Sequence, residues 1–281
     1  METTHRERAH EALFVAQAAA TQLLQLRAEV SPHGTIDEQA LRAAGDSASN
    51  TLILRHLSDQ FPSDALLSEE AADDPRRLIA DRVWIIDPLD GTREFGERDA
   101  AGFWRDDFAV HVALWERGQG LTIGVVGLPA RGVIYSSDAP PAVPPSPAGK
   151  LRVAVSRTRP PAFIAALEAA GLATLVPMGS AGVKVMAVVS GEADAYIHAG
   201  GQYQWDSAAP VAVALAAGLV ATRLDGSPLR YNVPELLLPD LVVCHPDRAD
   251  EVRALLDAAG FGLDGASGAS ATGAGAAESA G

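Results

Sequence analysis

The chain has 281 residues, enough for two ordinary domains or one large layered domain. Hydrophobic residues make up 48% of it but aromatic residues only 5%, so the core must consist mainly of Ala, Val, Leu and Ile. Acidic residues outnumber Lys and Arg by 36 to 22, which gives a formal net charge of −14. This charge argues against a nucleic-acid partner, because such binding depends on attraction to phosphates. A small phosphorylated substrate stays compatible if the site supplies cations.

The compartment can be inferred from the cysteine count and the absence of long apolar runs. The single cysteine, Cys244, can form no disulfide within the chain, and its apolar neighbours indicate a buried thiol. No run approaches the ~18 consecutive apolar residues of a membrane span, and the first residues lack the apolar centre of a signal peptide. We therefore expect a soluble, cytoplasmic protein without a membrane partner.

The first half of the chain is predicted to be α+β. Apolar residues at helical spacing predict a helix over residues 11–30, and Asp46 or Ser47 is predicted to cap a second helix that runs towards Phe61. Strands are predicted at residues 65–68, 82–86, 108–115, 121–126 and 132–135. The first two of these strands are followed by acidic residues, Glu69 and Asp87.

Residues 139–149 contain five prolines and no periodic apolar pattern, which predicts a stiff connector between two domains. Beyond it, strands and helices alternate, as is typical of an α/β layer. The predicted elements are strands at 151–155, 174–176, 193–197 and 241–245, and helices at 162–170, 183–189, 206–217 and 250–259. The predicted domains are residues 1–138 and 150–264, followed by a disordered tail rich in Gly, Ala and Ser over residues 265–281.

The stretch WIIDPLDGT, residues 84–92, places Asp87 and Asp90 directly after a buried strand. Asp-Pro and Asp-Gly are also common turn signals, so the motif by itself leaves a plain turn open. Unpaired carboxylates beside a buried sheet are costly, however, and favour a bound cation. If the turn directs both carboxylates and the Leu89 carbonyl inward, the resulting oxygen ligands suit Mg²⁺.

Residues Gly91 and Thr92 begin a segment that is predicted as a helix N-terminus, where free N–H groups attract phosphate. Arg93 belongs either to the rim of a substrate site or to a solvated first turn. A covalent aspartyl-phosphate mechanism is disfavoured, because Pro88 occupies the position at which such enzymes carry the nucleophilic acid.

Three widely separated motifs resemble those of the lithium-sensitive, Mg²⁺-dependent phosphomonoesterases of the inositol monophosphatase superfamily. These motifs are Glu69-Glu70, the segment 87–92 and the segment 205–209. Residues 179–184, 200–210 and 225–229 are also similar to the CysQ branch, the 3′(2′),5′-bisphosphate nucleotidases. The resemblance implies a layered αβαβα sandwich of the sugar-phosphatase type. Because family members often pair, it also leaves a homodimer open.

The resemblance further implies a centre for two Mg²⁺ ions, with a third, weaker ion beside Glu69. Glu69, Asp87 and the Leu89 carbonyl would hold the first ion. Asp87, Asp90 and Asp206 would hold the second. Without the other motifs, Asp206 would be interpreted as a helix N-cap.

The same resemblance assigns catalytic roles. Glu69 and the Thr92 hydroxyl, together with Asp46, would orient the attacking water, and the Gly91 and Thr92 amides would hold phosphate oxygens. Residues 46–51, DSASNT, depart from the family pattern Asp-x-Ser-Pro-x-Thr-x-x-Asp. An N-cap role therefore stays open for Asp46, and the third ion and lithium sensitivity stay open too.

Two further groups of side chains are candidates for the substrate site. Ser180 and Lys184 begin a predicted helix and could contact a substrate phosphate, although Lys184 could also be an ordinary exposed helix lysine. His111 and His198 lie on predicted strands, which favours a buried or supporting role over metal ligation.

The predicted function is Mg²⁺-dependent hydrolysis of 3′-phosphoadenosine 5′-phosphate to AMP and phosphate, and the resemblance implies a role in sulfate assimilation. Inositol-1-monophosphatase or fructose-1,6-bisphosphatase activity is the alternative within the same fold. A metal or phosphate sensor without catalysis is the alternative of another class. The intact set of acidic residues argues against the sensor.

Overall fold

A computed structural model describes residues 4–30, 37–158, 160 and 162–261. The helices are α1 (His5–Glu29), α2 (Glu38–Gln60), α3 (Thr92–Gly96), α4 (Ala162–Ala169), α5 (Ala181–Val189), α6 (Gln204–Ala216) and α7 (Ala249–Ala258). The strands are β1 (Ala65–Ser68), β2 (Arg82–Asp90), β3 (Ala109–Glu116), β4 (Gly120–Leu128), β5 (Val133–Ser136), β6 (Leu151–Ser156), β7 (Ala173–Met178), β8 (Ala195–Tyr203), β9 (Val220–Thr222) and β10 (Leu237–Cys244). The predicted tail, residues 265–281, lies outside the described residues.

Most predicted elements are present, with boundaries that differ by a few residues. The short strand β9 and three 3₁₀ turns, Pro75–Ile79, Pro129–Arg131 and Pro246–Arg248, were not predicted. Such short elements carry too few residues to display a period.

The N-termini of the first two helices lie earlier than the apolar pattern suggested. Thr4 and Glu7 form a capping box that starts α1. The Asp37 carboxylate accepts a hydrogen bond from the Ala40 amide at 2.9 Å and starts α2. The prediction that Asp46 or Ser47 caps this helix is therefore wrong, since both residues lie inside it.

The first sheet has the order β1-β2-β3-β4-β5, in which β1 and β2 are parallel and the other pairs antiparallel. The second sheet has the order β7-β6-β8-β10-β9, in which β6 is parallel to both its neighbours and β10 antiparallel to both of its own. The first half is thus mainly antiparallel, and the second half mixes parallel crossovers with an antiparallel edge.

Three hydrophobic cores show how these elements are layered. Side chains of α1 and α2 pack on one face of the first sheet, where Trp84 of β2 is buried. Ile85, the next residue, points to the opposite face and packs in a central core with α5, α6 and the second sheet. The far face of the second sheet packs against α4 and α7, with Ile164 and Val252 buried between them. The predicted αβαβα sandwich is confirmed.

The proline-rich segment 139–149 has no helix or strand and links β5 to β6. It is attached to the second half, because the Ser146 hydroxyl donates to the Asp194 carboxylate at 2.7 Å. Both halves also contribute residues to the central core. The boundaries of two separate domains therefore stay a prediction. No helix in the described part of the chain is both long and apolar enough to cross a bilayer.

Close packing of α6 on β4 leads to a prediction about Gly124. A Cβ at this position would lie 2.5 Å from the Ala212 Cβ and 2.6 Å from the Ala209 carbonyl oxygen. We expect Gly124→Ala to destabilise the protein by roughly 1–3 kcal/mol through overpacking. Urea unfolding measures the change.

Gly127 on the same strand is the matched control, because the nearest atom to its added Cβ is 3.9 Å away. Gly127→Ala should change the urea midpoint much less. Equal destabilisation by the two substitutions would contradict the packing of α6 on β4 described above.

Candidate active site

A bulge in β2 brings Asp87 and Asp90 to the same side of the first sheet. Asp87 pairs with His111 and Asp90 with Ala109, so three steps along β2 match two along β3. Side chains three positions apart in a regular strand point to opposite faces, and the extra residue cancels this alternation. Oxygen atoms of the two acids and a ring nitrogen of His111 consequently lie within 4.8 Å of one another.

His111 lies beside these acids, and the buried position expected of it is confirmed. It is fully buried, its Nδ1 is 3.3 Å from the Trp205 carbonyl oxygen, and its Nε2 is 3.4 Å from Asp90 Oδ2. Burial lowers the pKa of His111, although Asp90 acts in the opposite direction. Because Mg²⁺ prefers oxygen ligands, a neutral ring suits support of Asp90 better than coordination.

A chain of hydrogen bonds connects the loop after Asp87 to helix α2. The Leu89 amide donates to Asp87 Oδ1 at 3.0 Å. The Thr92 hydroxyl lies 3.0 Å from the Leu89 carbonyl oxygen and 3.1 Å from Asp46 Oδ1. Gly91 allows this turn through its left-handed φ of 87°. Asp46, although it is no N-cap, therefore reaches the loop from inside α2.

Sequence reasoning overlooked a residue that fixes the same loop, Ser49, whose hydroxyl donates to the Pro88 carbonyl oxygen at 2.7 Å. The Ser68 hydroxyl donates to Asn50 Oδ1 at 2.8 Å and joins the end of β1 to α2. The Asn50 amide also lies 3.5 Å from the carbonyl oxygen of Glu70, whose side chain is exposed. The segment that departs from the family pattern thus still binds the loop to α2, and its polar residues beside Asp46 were the available signal.

The start of α5 holds Asp90 from the second half of the chain. The Ser180 hydroxyl donates to Asp90 Oδ2 at 2.5 Å, and the Gly182 amide donates to the same oxygen at 2.6 Å. Ser180 adopts a left-handed φ of 50°, which is strained for a residue with a Cβ. The hydroxyl that was predicted to contact phosphate is therefore engaged by a carboxylate.

Asp206 lies in the first turn of α6, where its side chain accepts a hydrogen bond from the Tyr203 amide at 2.8 Å. The helix starts at Gln204, so the alternative interpretation of Asp206 as its N-cap is wrong. Burial raises the pKa of Asp206 to about 8, with a further contribution from the charges of Asp90 and Glu69. Its carboxyl group thus faces the acids of the first half.

The other acids show the same mutual repulsion. Burial raises the pKa of Asp87 well above its usual value, and the charges of Asp90 and Glu69 raise it further. Burial of the carboxyl group and repulsion by Asp90 raise the pKa of Glu69 to about 7, although much of that residue is exposed. Burial and Glu70 raise the pKa of Asp46 to about 6. The cluster therefore holds excess negative charge that a divalent cation could neutralise.

The two cationic candidates lie in different surroundings. Lys184 is only 6% exposed, so its interpretation as an exposed helix lysine is wrong. Its Nζ donates to the Ser180 carbonyl oxygen at 2.5 Å and to that of Gly179 at 3.1 Å. Arg93 is exposed and forms an ion pair with Glu97 at 2.9 Å, a pairing of little strength on a surface.

A cavity of about 480 Å³ opens beside these groups. Its lining combines the end of β2, the start of α5 and strand β8, and includes Asp90, Arg93, Lys184, Tyr196, Gln202 and Asp206. A larger cavity, of about 690 Å³, lies between α1 and α2 but has apolar and uncharged groups over most of its surface. The polar cavity is thus the one that adjoins the acidic cluster.

The chain belongs to the inositol monophosphatase family, whose model matches residues 5–257. The family resemblance predicted from the three motifs is confirmed. This membership agrees with the two sheets and the acidic cluster described above.

Two relatives within the family are similar to this chain over most of its length. The chain is 52% identical to a 3′-phosphoadenosine 5′-phosphate phosphatase of Mycobacterium bovis over 238 residues, which cover 81% of this chain and 85% of that protein. It is 32% identical to the 3′(2′),5′-bisphosphate nucleotidase CysQ of Escherichia coli over 209 residues, or 69% of this chain and 81% of CysQ.

Solved structures agree with the fold. CysQ from Bacteroides thetaiotaomicron superposes with a TM-score of 0.72 at 26% identity, over 85% of this chain and 97% of that one. Inositol monophosphatase II from Staphylococcus aureus also gives a TM-score of 0.72, at 19% identity over 87% and 93% of the two chains. The second likeness shows the fold alone.

The raised pKa values predict how stability depends on pH in the absence of metal. An acid whose pKa is higher in the folded than in the unfolded state destabilises the fold once it ionises, so stability falls as pH rises. The loss should begin above the ordinary carboxyl pKa near ~4 and extend through the values of about 6 to about 8 for Asp46, Glu69 and Asp206. We expect the melting temperature in EDTA to fall by at least ~5 °C from about pH 5 to about pH 9.

Saturating Mg²⁺ should remove most of this fall, because it binds the ionised acids of the folded state. Asp206→Asn should flatten the curve in EDTA. Asp225→Asn is the control, since hydrogen bonds from Ser227 lower the pKa of Asp225. A melting temperature in EDTA that stays constant or rises over this range would show that the acids do not repel one another as described.

Proposed function

We propose that this chain is a Mg²⁺-dependent phosphomonoesterase that hydrolyses 3′-phosphoadenosine 5′-phosphate to AMP and phosphate by attack of a water molecule. The observation that carries the proposal is the gathering of Asp87, Asp90 and Asp206 from both halves of the chain beside one polar cavity. The 52% identity to a protein named for this substrate supports the choice of ester.

The donor set fits Mg²⁺. It consists of carboxylate oxygens and one main-chain carbonyl, the hard ligands that this ion prefers. The pKa values of Asp87, Glu69 and Asp206 are all raised, first by burial and then by the charges of the neighbouring acids, and a bound cation would relieve both effects. Glu69, Asp87 and the Leu89 carbonyl would hold one ion, and Asp87, Asp90 and Asp206 a second.

Bound Mg²⁺ would supply a water of lowered pKa and stabilise the leaving oxygen. The protein's own residues then position that water. The Asp46 carboxyl has a pKa of about 6 and is mostly ionised at neutral pH, so it can accept a hydrogen bond from the Thr92 hydroxyl. A lone pair of the Thr92 oxygen is then left to accept a hydrogen bond from the water. Glu69, which follows the parallel neighbour β1 at the same edge of the sheet, could accept a proton from the same water.

The remaining candidates would act on the phosphate group. The Gly91 and Thr92 amides would face its oxygens as negative charge shifts in the transition state. Arg93, exposed at the rim of the cavity, can leave its weak ion pair and turn inward. Lys184 is held by main-chain carbonyls, so in this proposal it contributes positive potential rather than a direct contact. Homodimer formation stays a prediction.

A substrate comparison tests the choice of ester. Purified protein with Mg²⁺ should release phosphate from 3′-phosphoadenosine 5′-phosphate at least ~10-fold more efficiently, in kcat/KM, than from inositol-1-phosphate or fructose-1,6-bisphosphate. EDTA should abolish release, and added Mg²⁺ should restore it. Preference for an inositol or sugar ester would overturn the substrate assignment, and no release from any ester would favour the sensor.

A single substitution tests the assignment of Asp90. Asp90→Asn removes a charged ligand, so we expect kcat/KM to fall by more than ~100-fold, beyond the loss usual for outer partners of metal ligands. The far-ultraviolet circular dichroism spectrum should stay unchanged. Asp247→Asn, at an exposed carboxylate near α7, is the control. Undiminished turnover by the Asp90 variant would remove this residue from the metal centre.

A further inference from the structure

Two polar side chains of β8 meet at the wall of the cavity. Tyr196 and Gln202 are 1% and 6% exposed, and Gln202 Nε2 donates to the Tyr196 hydroxyl at 2.6 Å. Both side chains line the cavity together with Asp90 and Asp206. The mechanism proposed above uses neither of them.

Their contact depends on an irregularity in the strand. Six residues of regular strand span about 20 Å, too far for these two side chains to meet. Leu238 pairs with Gln202 and Asp240 with Ala199, so β8 has one residue more than β10 between these points. Gly200 and Gly201 lie in this bulge with φ of 120° and 82°. The bend, which other residues adopt only with strain, brings Gln202 back over Tyr196.

The pair keeps unused hydrogen-bonding groups, among them a donor on Tyr196 and an acceptor on Gln202. The Tyr196 oxygen accepts from Gln202, so the phenolic proton is still available, and no described residue accepts it. Gln202 Oε1 is buried and has no hydrogen-bond partner among the described residues. Buried polar atoms without partners are rare in folded proteins, and each requires an explanation.

Other contacts keep the pair rigid. Lys184 Nζ lies 5.4 Å from the centre of the Tyr196 ring, in a cation–π arrangement. The same ammonium group is held by the carbonyl oxygens of Gly179 and Ser180. Tyr196 therefore cannot easily turn away from the cavity, and its proton and the Gln202 oxygen stay side by side.

A neighbouring donor and acceptor form the complement of a hydroxyl group, which itself both accepts and donates. Tyr196 also lines the same cavity as Asp90 and Asp206. Burial raises the pKa of Tyr196, and the charges of these two nearby acids raise it further. The hydroxyl should therefore be close to the ester that is cleaved. In a nucleoside 3′-phosphate, the 2′-hydroxyl occupies the adjacent carbon of the ribose.

We propose that Tyr196 and Gln202 form a hydroxyl-binding site that recognises the ribose hydroxyl next to the scissile phosphate. They are specificity-determining residues rather than catalytic ones. This inference rests on the proposed nucleotidase function and adds that the enzyme prefers ribonucleotide esters to their deoxy counterparts. A site built to bond a hydroxyl discriminates strongly against the analogue that lacks it, because its buried polar atoms are then left unpaired.

The test compares 3′-phosphoadenosine 5′-phosphate with its 2′-deoxy analogue. The unmodified enzyme should have a kcat/KM at least ~10-fold lower for the deoxy analogue. Tyr196→Phe and Gln202→Leu should lower kcat/KM for the ribonucleotide to near the deoxy value and change the deoxy value less than ~3-fold. Tyr135→Phe, which removes a phenol on β5 outside the cavity, is the matched control and should keep the discrimination.

Each outcome has a distinct meaning. Equal kcat/KM for the two nucleotides in the unmodified enzyme would overturn the inference but leave the nucleotidase function intact. Equal losses on both nucleotides in the two variants, with unchanged melting temperatures, would also overturn it, because the pair would then act on the site as a whole. Release from neither nucleotide by the unmodified enzyme would contradict the nucleotidase function and, with it, the hydroxyl-binding site.

Discussion

Repulsion among buried carboxylates is the constraint on which the rest of this structure depends. Asp87 and Asp90 belong to the first sheet and Asp206 to the first turn of α6, and burial together with their mutual charges raises the pKa of Asp87 and Asp206. An arrangement of this kind opposes folding unless a cation or a proton neutralises it. The central core, which packs α5 and α6 between the two sheets, supplies the stabilisation that keeps these acids together.

Local irregularities of two strands shape the site within this rigid framework. The bulge in β2 turns Asp87 and Asp90 to one side, and the bulge in β8 bends Gln202 towards Tyr196. Bulges re-aim side chains and are frequent beside active sites. The strained φ of Ser180 is a third departure from regular geometry, and its hydroxyl holds Asp90. These three irregularities therefore lie where the sandwich meets the cavity.

The helices and strands could be predicted because long elements display their periods in the sequence, whereas the layered sandwich was implied by the family resemblance. Asp87 and Asp90 could be singled out because they follow a buried strand. Other features depend on contacts between distant segments. Asp46 resembles an N-cap in sequence, but Asp37 starts the helix earlier. No local pattern shows that Ser49 bonds to Pro88. The alternation of side chains along a strand does not show where a bulge inserts an extra residue. The sequence therefore could not reveal that Gln202 reaches Tyr196.

The polar groups around the cavity differ in whether they already have hydrogen-bond partners, and this difference separates the proposed metal centre from the proposed substrate site. The sequence suggested that Ser180 and Lys184 contact the substrate phosphate. In the structure, the Ser180 hydroxyl donates to Asp90 and the Lys184 ammonium group donates to main-chain carbonyls. Tyr196 and Gln202 keep a proton and an oxygen unused at the cavity wall. A group that is satisfied inside the protein gains little from a ligand, whereas an unsatisfied one gains its full hydrogen bond. Recognition of the substrate hydroxyl should therefore fall to Tyr196 and Gln202, to which the motifs assigned no role, while the acidic residues of the motifs would hold the cations.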